Sequence, residues 1–473
     1  YVMFQYGVFI DADMVRNIVE TNRREALDYV NPNGLVWLTL TGILPSAWIL
    51  RARVRFRPPW RELRGRLLSV LACALAFGLI AGALFKQYAI FGRNNRNVTR
   101  LINPTCHANA AWCYFWQRAS AKRGFVRIDP LARRASGRGG SVTVLVVVIG
   151  ETARSMNFSL NGYGRPTNPR LAGQDVISFR DVAASGTSTA VSLPAMFSGQ
   201  RSQGFDLDEA LHTENIVDLM AQVGYDVVWL ENDNGCKRVC DRVTTRDMVA
   251  ENDPAFCRDG NCLDGVLIGP LASILGDIRK DTVIFLHTIG SHGPAYHSRY
   301  PDGFGVFGPT CDTGEIQGCP DGNIVNTYDN TILYADHVLD LAITELRRHP
   351  GFSSWLLYVS DHGESLGEKG IYLHGLPLSI APKEQTRVPM ILWMSETMAI
   401  GEGIGRGCLE GRVDDRLSHD NLFHSLAGLL GIETSLYDEG LDLFAPCRRK
   451  PPNVQADGGP GPGEGQSAEA GEG

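Results

Sequence analysis

Glu151, Asp361 and three or four of His287, His292, His362 and His374 are the side chains in this sequence best suited to hold a metal ion or a phosphate. Glu151 follows a β-branched run at 142–149, in Gly150-Glu151-Thr152. Asp361 and His362 follow a second run at 355–359, in Ser360-Asp361-His362-Gly363. A third run at 282–286 leads into His287 and then Gly290-Ser291-His292-Gly293. His374 stands in Tyr372-Leu373-His374-Gly375. In an open α/β sheet the functional crevice lies beyond the carboxyl ends of the strands, so residues delivered there by separate strands meet. Carboxylates mixed with imidazoles suit a hard-to-borderline cation, and zinc fits that mix. Each histidine alone reads as structural; the joint arrangement reads as a ligand set.

A nucleophile belongs beside such a centre. Ser185-Gly186-Thr187-Ser188-Thr189-Ala190 is a small hydroxyl-rich loop leading into 191–197, a helix start. A hydroxyl at the positive end of a helix favours an alkoxide and an anionic phosphate. The plainer role for these residues is a Ser/Thr helix cap. Spacing does not choose among Thr187, Ser188 and Thr189.

The elements that must position these groups form an α/β pattern from 141 onward. Buried-strand runs at 142–149, 225–230, 282–286, 355–359 and 388–393 alternate with helical patterns at 215–223 and 327–348. That predicts a doubly wound, mostly parallel sheet flanked by helices. The catalytic domain is placed at 141–447. Residues 448–473, rich in Gly, Pro and Glu, read as a disordered tail.

Ahead of that domain the chain changes character. Residues 34–50 and 67–85 carry no charge and are near the ~20 residues that a membrane-crossing helix needs. The rival reading is two buried core helices. Between the runs, residues 51–66 hold seven Arg and one Glu. The whole chain has a net charge of −7, which leaves −13 outside this stretch. Such an Arg-rich loop belongs on the cytoplasmic side, and an acidic remainder argues against nucleic-acid binding. Residues 1–86 are therefore read as a transmembrane domain. Residues 87–140, with aromatics at Trp112, Tyr114, Phe115 and Trp116, are read as an interfacial bridge. The chain starts at Tyr1, not Met, so a fragment or a processed form is expected.

Cysteine supports an oxidising compartment. Of eleven Cys, ten follow the second apolar run. Short spacings pair Cys236 with Cys240, Cys257 with Cys262 and Cys311 with Cys319 as disulfides. Cys106 with Cys113 and Cys408 with Cys447 are less certain pairs. Zinc is the rival for the first two, but no His lies at finger spacing.

The motifs named above, with Asn161-Gly162-Tyr163, Ser291-His292-Gly293-Pro294-Ala295-Tyr296 and Ser360-Asp361-His362-Gly363-Glu364-Ser365-Leu366-Gly367-Glu368, resemble bacterial lipid A phosphoethanolamine transferases, a family that includes the mobile colistin-resistance transferases. The resemblance spans residues 1 to about 447. It implies an alkaline phosphatase/sulfatase-like catalytic domain in the periplasm, anchored in the inner membrane by five transmembrane helices. Two spans are visible here, so the first helices are expected to be missing. It implies that Thr189 is the nucleophile and that Glu151, Thr189, Asp361 and His362 hold Zn2+. His292 and His374 would hold a second zinc or bind phosphate. Lys237, Asn17, Thr21 and Glu25 would bind substrate; the last three share one helix face at i, i+4, i+8. The donor would be phosphatidylethanolamine, the acceptor lipid A or inner-core lipopolysaccharide, and the enzyme a monomer. Transfer would lower surface negative charge and give polymyxin resistance.

Two departures stand out. A cysteine pair that flanks the nucleophile loop in some relatives is replaced by Ser185 and Ala195, which predicts a less rigid loop. Asn232-Asp233-Asn234 stands where relatives have Asn-Asn, with Asp233 expected to stay clear of the metal set. The rival activity is a periplasmic sulfatase or phosphodiesterase of the same fold. Ser192-Leu193-Pro194-Ala195 approaches the sulfatase maturation pattern, but Met196 stands where that pattern needs Arg.

Overall fold

The computed structural model describes residues 2–20, 26, 30–53, 58–94, 105–120, 124–135, 141–258, 260–396 and 403–448. Eight strands form the central sheet: β1 (Thr143–Gly150), β2 (Ile177–Ala183), β3 (Asp226–Glu231), β4 (Thr244–Asp247), β5 (Thr282–His287), β6 (Ser353–Ser360), β7 (Arg387–Met394) and β8 (Arg416–Ser418). Their spatial order is β8-β2-β7-β6-β1-β5-β3-β4. β1 lies at the centre, parallel to β5 and β6, and β3 runs parallel to β5 and β4. Only β7 opposes its neighbours, antiparallel to both β2 and β6. The sheet is therefore mostly parallel, as the continuous apolar runs imply.

Parallel pairing explains the sequence of β1. Both faces are covered, so Val144 to Ile149 are all buried. One face packs Leu145, Val147 and Ile149 with Phe197, Trp229 and Phe285. The other packs Val144, Val146 and Val148 with Tyr328, Ile332 and Leu339 of the long helix Asp321–Arg347. Two core layers thus clamp one strand, and Glu151 emerges from its end into the interior.

Among the described residues, a short helix (Val2–Tyr6) and four longer ones precede the sheet and bear on the site or the membrane: α1 (Ala12–Glu20), α2 (Pro32–Arg51), α3 (Pro59–Asn94) and α4 (Thr105–Ser120). α2 starts cleanly because Asn31 Oδ1 accepts from the Gly34 amide at 2.7 Å and Pro32 fills the first turn. α2 and the Pro59–Leu84 part of α3 are long and apolar enough to cross a membrane, and neither is buried inside the fold. That removes the reading of core helices. α3 continues beyond residue 85, because no proline stops it before Asn94. α1 packs on α4 and reaches the catalytic domain.

Disulfides join Cys236–Cys240, Cys257–Cys262, Cys311–Cys319 and Cys408–Cys447. Cys113 is a free thiol. Cys106 and Cys113 lie seven residues apart on α4, a rise of about 10 Å, which is beyond disulfide reach. The tail from 449 lies outside the described residues.

Candidate active site

The carboxyl ends of β1, β3, β5 and β6 converge below the start of helix α5 (Thr189–Ser198). Glu151, Asp361 and His362 are fully buried, and their ligand atoms lie within 4.8 Å of one another. His362 Nε2 sits 3.4 Å from Glu151 Oε1 and 3.4 Å from Asp361 Oδ2. Those three atoms have no hydrogen-bond partner, although each is sealed from solvent. Orphaned buried polar atoms are costly unless something satisfies them. The His362 Nδ1–H donates to the Gly363 carbonyl at 3.0 Å, which leaves the Nε2 lone pair pointing at the two carboxylates. Donor types and geometry fit a divalent cation such as zinc.

Electrostatics agree with that fit. Burial pushes Glu151 well above the carboxylate range, and Asp361 and Asp233 push it further. Burial also works against Asp361, but the nearby imidazoles of His362 and His287 outweigh it and hold Asp361 low. Burial drops His362 to about 4, so its imidazole is neutral and free to ligate.

Thr189 is the first residue of α5, and its hydroxyl donates to Glu151 Oε2 at 2.9 Å. The Thr187 hydroxyl is spent on the Leu376 carbonyl at 2.6 Å. Ser188 is the N-cap residue with extended backbone and no side-chain capping bond. Of the three candidates, Thr189 is the one whose hydroxyl contacts the acid cluster among the described residues. Ser192, which the sulfatase pattern would make the reactive position, donates instead to the Asp361 carbonyl.

The loop that lacks the cysteine pair is tied by polar contacts. Ser185 Oγ bonds Ser202 Oγ at 2.7 Å, and the Ser185 amide donates to His419 Nδ1 at 3.1 Å. His419 Nε2 in turn donates to the Ser360 carbonyl at 2.9 Å. One buried imidazole therefore links the nucleophile loop to the strand that carries Asp361. Opposite it, Thr152 is held in the left-handed region at φ +51°, with its carbonyl gripped by the Tyr328 hydroxyl at 2.6 Å. The turn that aims Glu151 is over-determined, as strained functional turns must be.

Above this floor lies a cavity of about 340 Å³ bordered by Thr189, Lys237, His292 and His374. Lys237, at φ +47°, sits beside the Cys236–Cys240 bridge and donates to the Asn234 carbonyl at 2.8 Å. The His374 and His362 ring centroids are 4.5 Å apart, and His292 and His374 are 5.4 Å apart. His374 Nδ1 is held by Glu364 at 3.0 Å. Tyr6, Val8, Met14, Ile18 and Asn17 close the other side. Thr21 and Glu25 lie outside the described residues.

Asp233 requires a correction. Its side chain is 2% exposed and sits with Glu151 and His287 in a second cluster within 4.8 Å. β3 ends at Glu231, so the next residues necessarily turn into the crevice. His287 Nδ1 contacts both Glu231 oxygens at 2.9 Å. Burial opposes the charged imidazole, but Glu231 and Asp233 outweigh it and hold His287 up at about 9. Glu231 and Glu364 were missed in the sequence. Applying the strand-end rule to 225–230 would have found Glu231.

An α/β domain with a hydroxyl at a helix start facing buried carboxylates and imidazoles defines a phosphoryl- or sulfuryl-transfer enzyme of the alkaline phosphatase/sulfatase class. Residues 143–432 match the sulfatase family, and residues 1–119 match the family described as phosphoethanolamine transferase EptA/EptB. The phosphoethanolamine transferase EptA of Salmonella typhimurium is 41% identical over 95% of this chain and 83% of its own length. The phosphatidylethanolamine transferase Mcr-1 of Escherichia coli is 33% identical over 91% of this chain and 81% of its own. The solved integral membrane lipooligosaccharide phosphoethanolamine transferase A of Neisseria meningitidis superposes with a TM-score of 0.91 at 38% identity. That match covers 95% of this chain and 85% of the other. The chain belongs to this family and is a phosphoethanolamine transferase.

Proposed function

We propose that the protein moves phosphoethanolamine from phosphatidylethanolamine to lipid A or inner-core lipopolysaccharide through a covalent intermediate on Thr189. The observation that carries this reading is the Thr189 hydroxyl at the start of α5, 2.9 Å from Glu151 and open to the cavity. Glu151, Asp361, His362 and Thr189 would hold Zn2+. When bound, the metal would lower the pKa of the hydroxyl and neutralise charge at phosphorus.

The chain's own groups do the rest. Glu151, ionised once a bound cation replaces the proton that burial otherwise holds on it, accepts the Thr189 proton at Oε2. The Thr189 oxygen bonds to phosphorus as the bond to the diacylglycerol oxygen breaks, and diacylglycerol leaves with a proton. His292, His374 and Lys237 offer donors to the phosphoryl oxygens. A phosphate or hydroxyl oxygen of the acceptor then displaces Thr189. The helix end at Thr189 favours the anion in both steps. Asn17, at the cavity's edge, contacts the donor headgroup.

The catalytic domain stands on the periplasmic side of the inner membrane, with the Arg-rich loop in the cytoplasm. The four disulfides support this side. The enzyme is read as a monomer. The lipid product loses negative charge, so cells gain polymyxin resistance. Mass spectrometry of lipid A from cells with and without the full-length protein tests the reading. Added phosphoethanolamine supports it. Release of free phosphoethanolamine to water with unmodified lipid would favour a phosphodiesterase instead.

A further inference from the structure

The described residues contain two groups of three or more metal-capable side chains, and Glu151 belongs to both. The first is Glu151, Asp361 and His362. The second is Glu151, Asp233 and His287. We infer that Asp233, His287 and Glu151 form a second divalent-cation site, with Glu151 bridging it to the first. The inference rests on the proposed metal centre at Glu151 and adds a site to it.

Three features of the second group point to a ligand rather than to a salt bridge. Its donors are unsatisfied: Asp233 Oδ1, His287 Nε2 and Glu151 Oε1 all lack a hydrogen-bond partner, and His287 is fully buried. The one ion-pair distance inside the group, His287 Nε2 to Asp233 Oδ2, is 3.8 Å, too long for a hydrogen bond. And Glu231 holds His287 by the other ring nitrogen, Nδ1, with both oxygens at 2.9 Å. A carboxylate on one imidazole nitrogen, with the second aimed at two other carboxylates, is the arrangement that orients a metal-ligating histidine, and a cation there would displace the proton that Glu231 and Asp233 otherwise hold on His287. Backbone geometry makes it rigid. Glu231 pairs with His287 across adjacent parallel strands, and the Asp233 amide donates to Glu231 Oε1 at 2.8 Å.

The alternative place for a second ion is His292 with His374. Those two rings form no group of three with a carboxylate among the described residues. They stay on the cavity side with Lys237, where they face the phosphoryl oxygens. The chemistry is then divided. The first ion would serve Thr189, and the second, sharing Glu151, would balance the excess carboxylate charge at the floor.

Metal content of the detergent-solubilised full chain, equilibrated with buffered zinc alone, tests this. Two ions per wild-type chain are expected. Asp233→Asn and His287→Gln should each bring the count to one while the first ion stays tightly held. Glu231→Gln should keep both ions but weaken the second about 10- to 100-fold, the usual effect of removing an outer-shell partner. One ion in wild type, retained in all variants, would overturn the second site and leave the first standing; no ion at all would overturn the first as well. If a variant misfolds, zinc-edge anomalous scattering from wild-type crystals decides. Two peaks flanking Glu151 support the inference, and a single peak beside His362 overturns it.

Discussion

The floor and the roof of the cavity are built on opposite principles. At the floor, strand ends and a helix start carry Glu151, Asp361 and Thr189; Asp361 accepts from the Thr152 and His362 amides, and the Thr189 hydroxyl donates to Glu151. At the roof, Tyr6, Val8 and Met14 lie against the catalytic domain through apolar contact. Hydrogen-bonded groups hold positions to a fraction of an ångström, as phosphoryl transfer requires. Apolar contact is non-directional and tolerates a range of shapes, as a lipid's glycerol and acyl region requires. Damage to the floor should therefore abolish chemistry, and damage to the roof should weaken capture of the donor.

The largest effect belongs to Thr189→Ala. Under the proposed mechanism its removal leaves only binding and electrostatic catalysis, so diacylglycerol release should fall by about three orders of magnitude or more. The disulfides and the melting temperature should stay near wild type, because the hydroxyl contacts only Glu151 among the described residues. Release at a near-normal rate would place the nucleophile elsewhere.

Next comes Glu151→Gln, which keeps the shape and removes the charge. Three protein ligands leave a metal site little redundancy. Elemental analysis should show loss of bound zinc in step with transfer. Full zinc content with lost transfer would instead make Glu151 only the proton acceptor of Thr189.

A third test separates backbone precision from side-chain chemistry. Gly290 lies at φ +50°, and a Cβ there would meet the Glu151 carbonyl oxygen at 2.6 Å. Backbone cannot give way as a side-chain tip can. Gly290→Ala should cost about 1–3 kcal/mol locally and displace Glu151, lowering zinc affinity while all ligands remain. Unchanged zinc affinity would mean that the floor is softer than its hydrogen bonds imply.

Much of the floor was legible in the sequence, for a definite reason. β1, β5 and β6 are buried on both faces, so their continuous β-branched runs stand out, and the polar residues that follow must enter the crevice. β2 was not read, because its residues alternate between buried and partly exposed. β4 and β8 are too short and polar to show. Asp233 was judged on its sequence neighbours, whereas its position follows from where β3 stops. The Cys106–Cys113 spacing alone suggests a bridge, but 105–120 is a helix and along it the pair cannot close. The roof was legible as polar spacing alone, and its apolar side was not. Tyr6 and Val8 carry no periodic signal that would distinguish a lipid-facing wall from a core.

The smallest effect should come from the roof, at Asn17. It borders the cavity with Met14 and Ile18, on the face of α1 that looks toward Thr189 and His374. A hydrogen bond to a charged headgroup in a partly wet interface contributes roughly 1–3 kcal/mol. Asn17→Ala should then slow transfer from phosphatidylethanolamine in bilayers about ten-fold. Turnover of a water-soluble phosphoethanolamine ester should be unchanged, since that substrate reaches Thr189 without the roof. The two substrates together make the test sharp. An equal loss on both would mean that Asn17 shapes the floor, and the division between rigid chemistry and adaptable capture would fail. No loss on either would leave the apolar side chains of the roof as its whole contribution to donor binding.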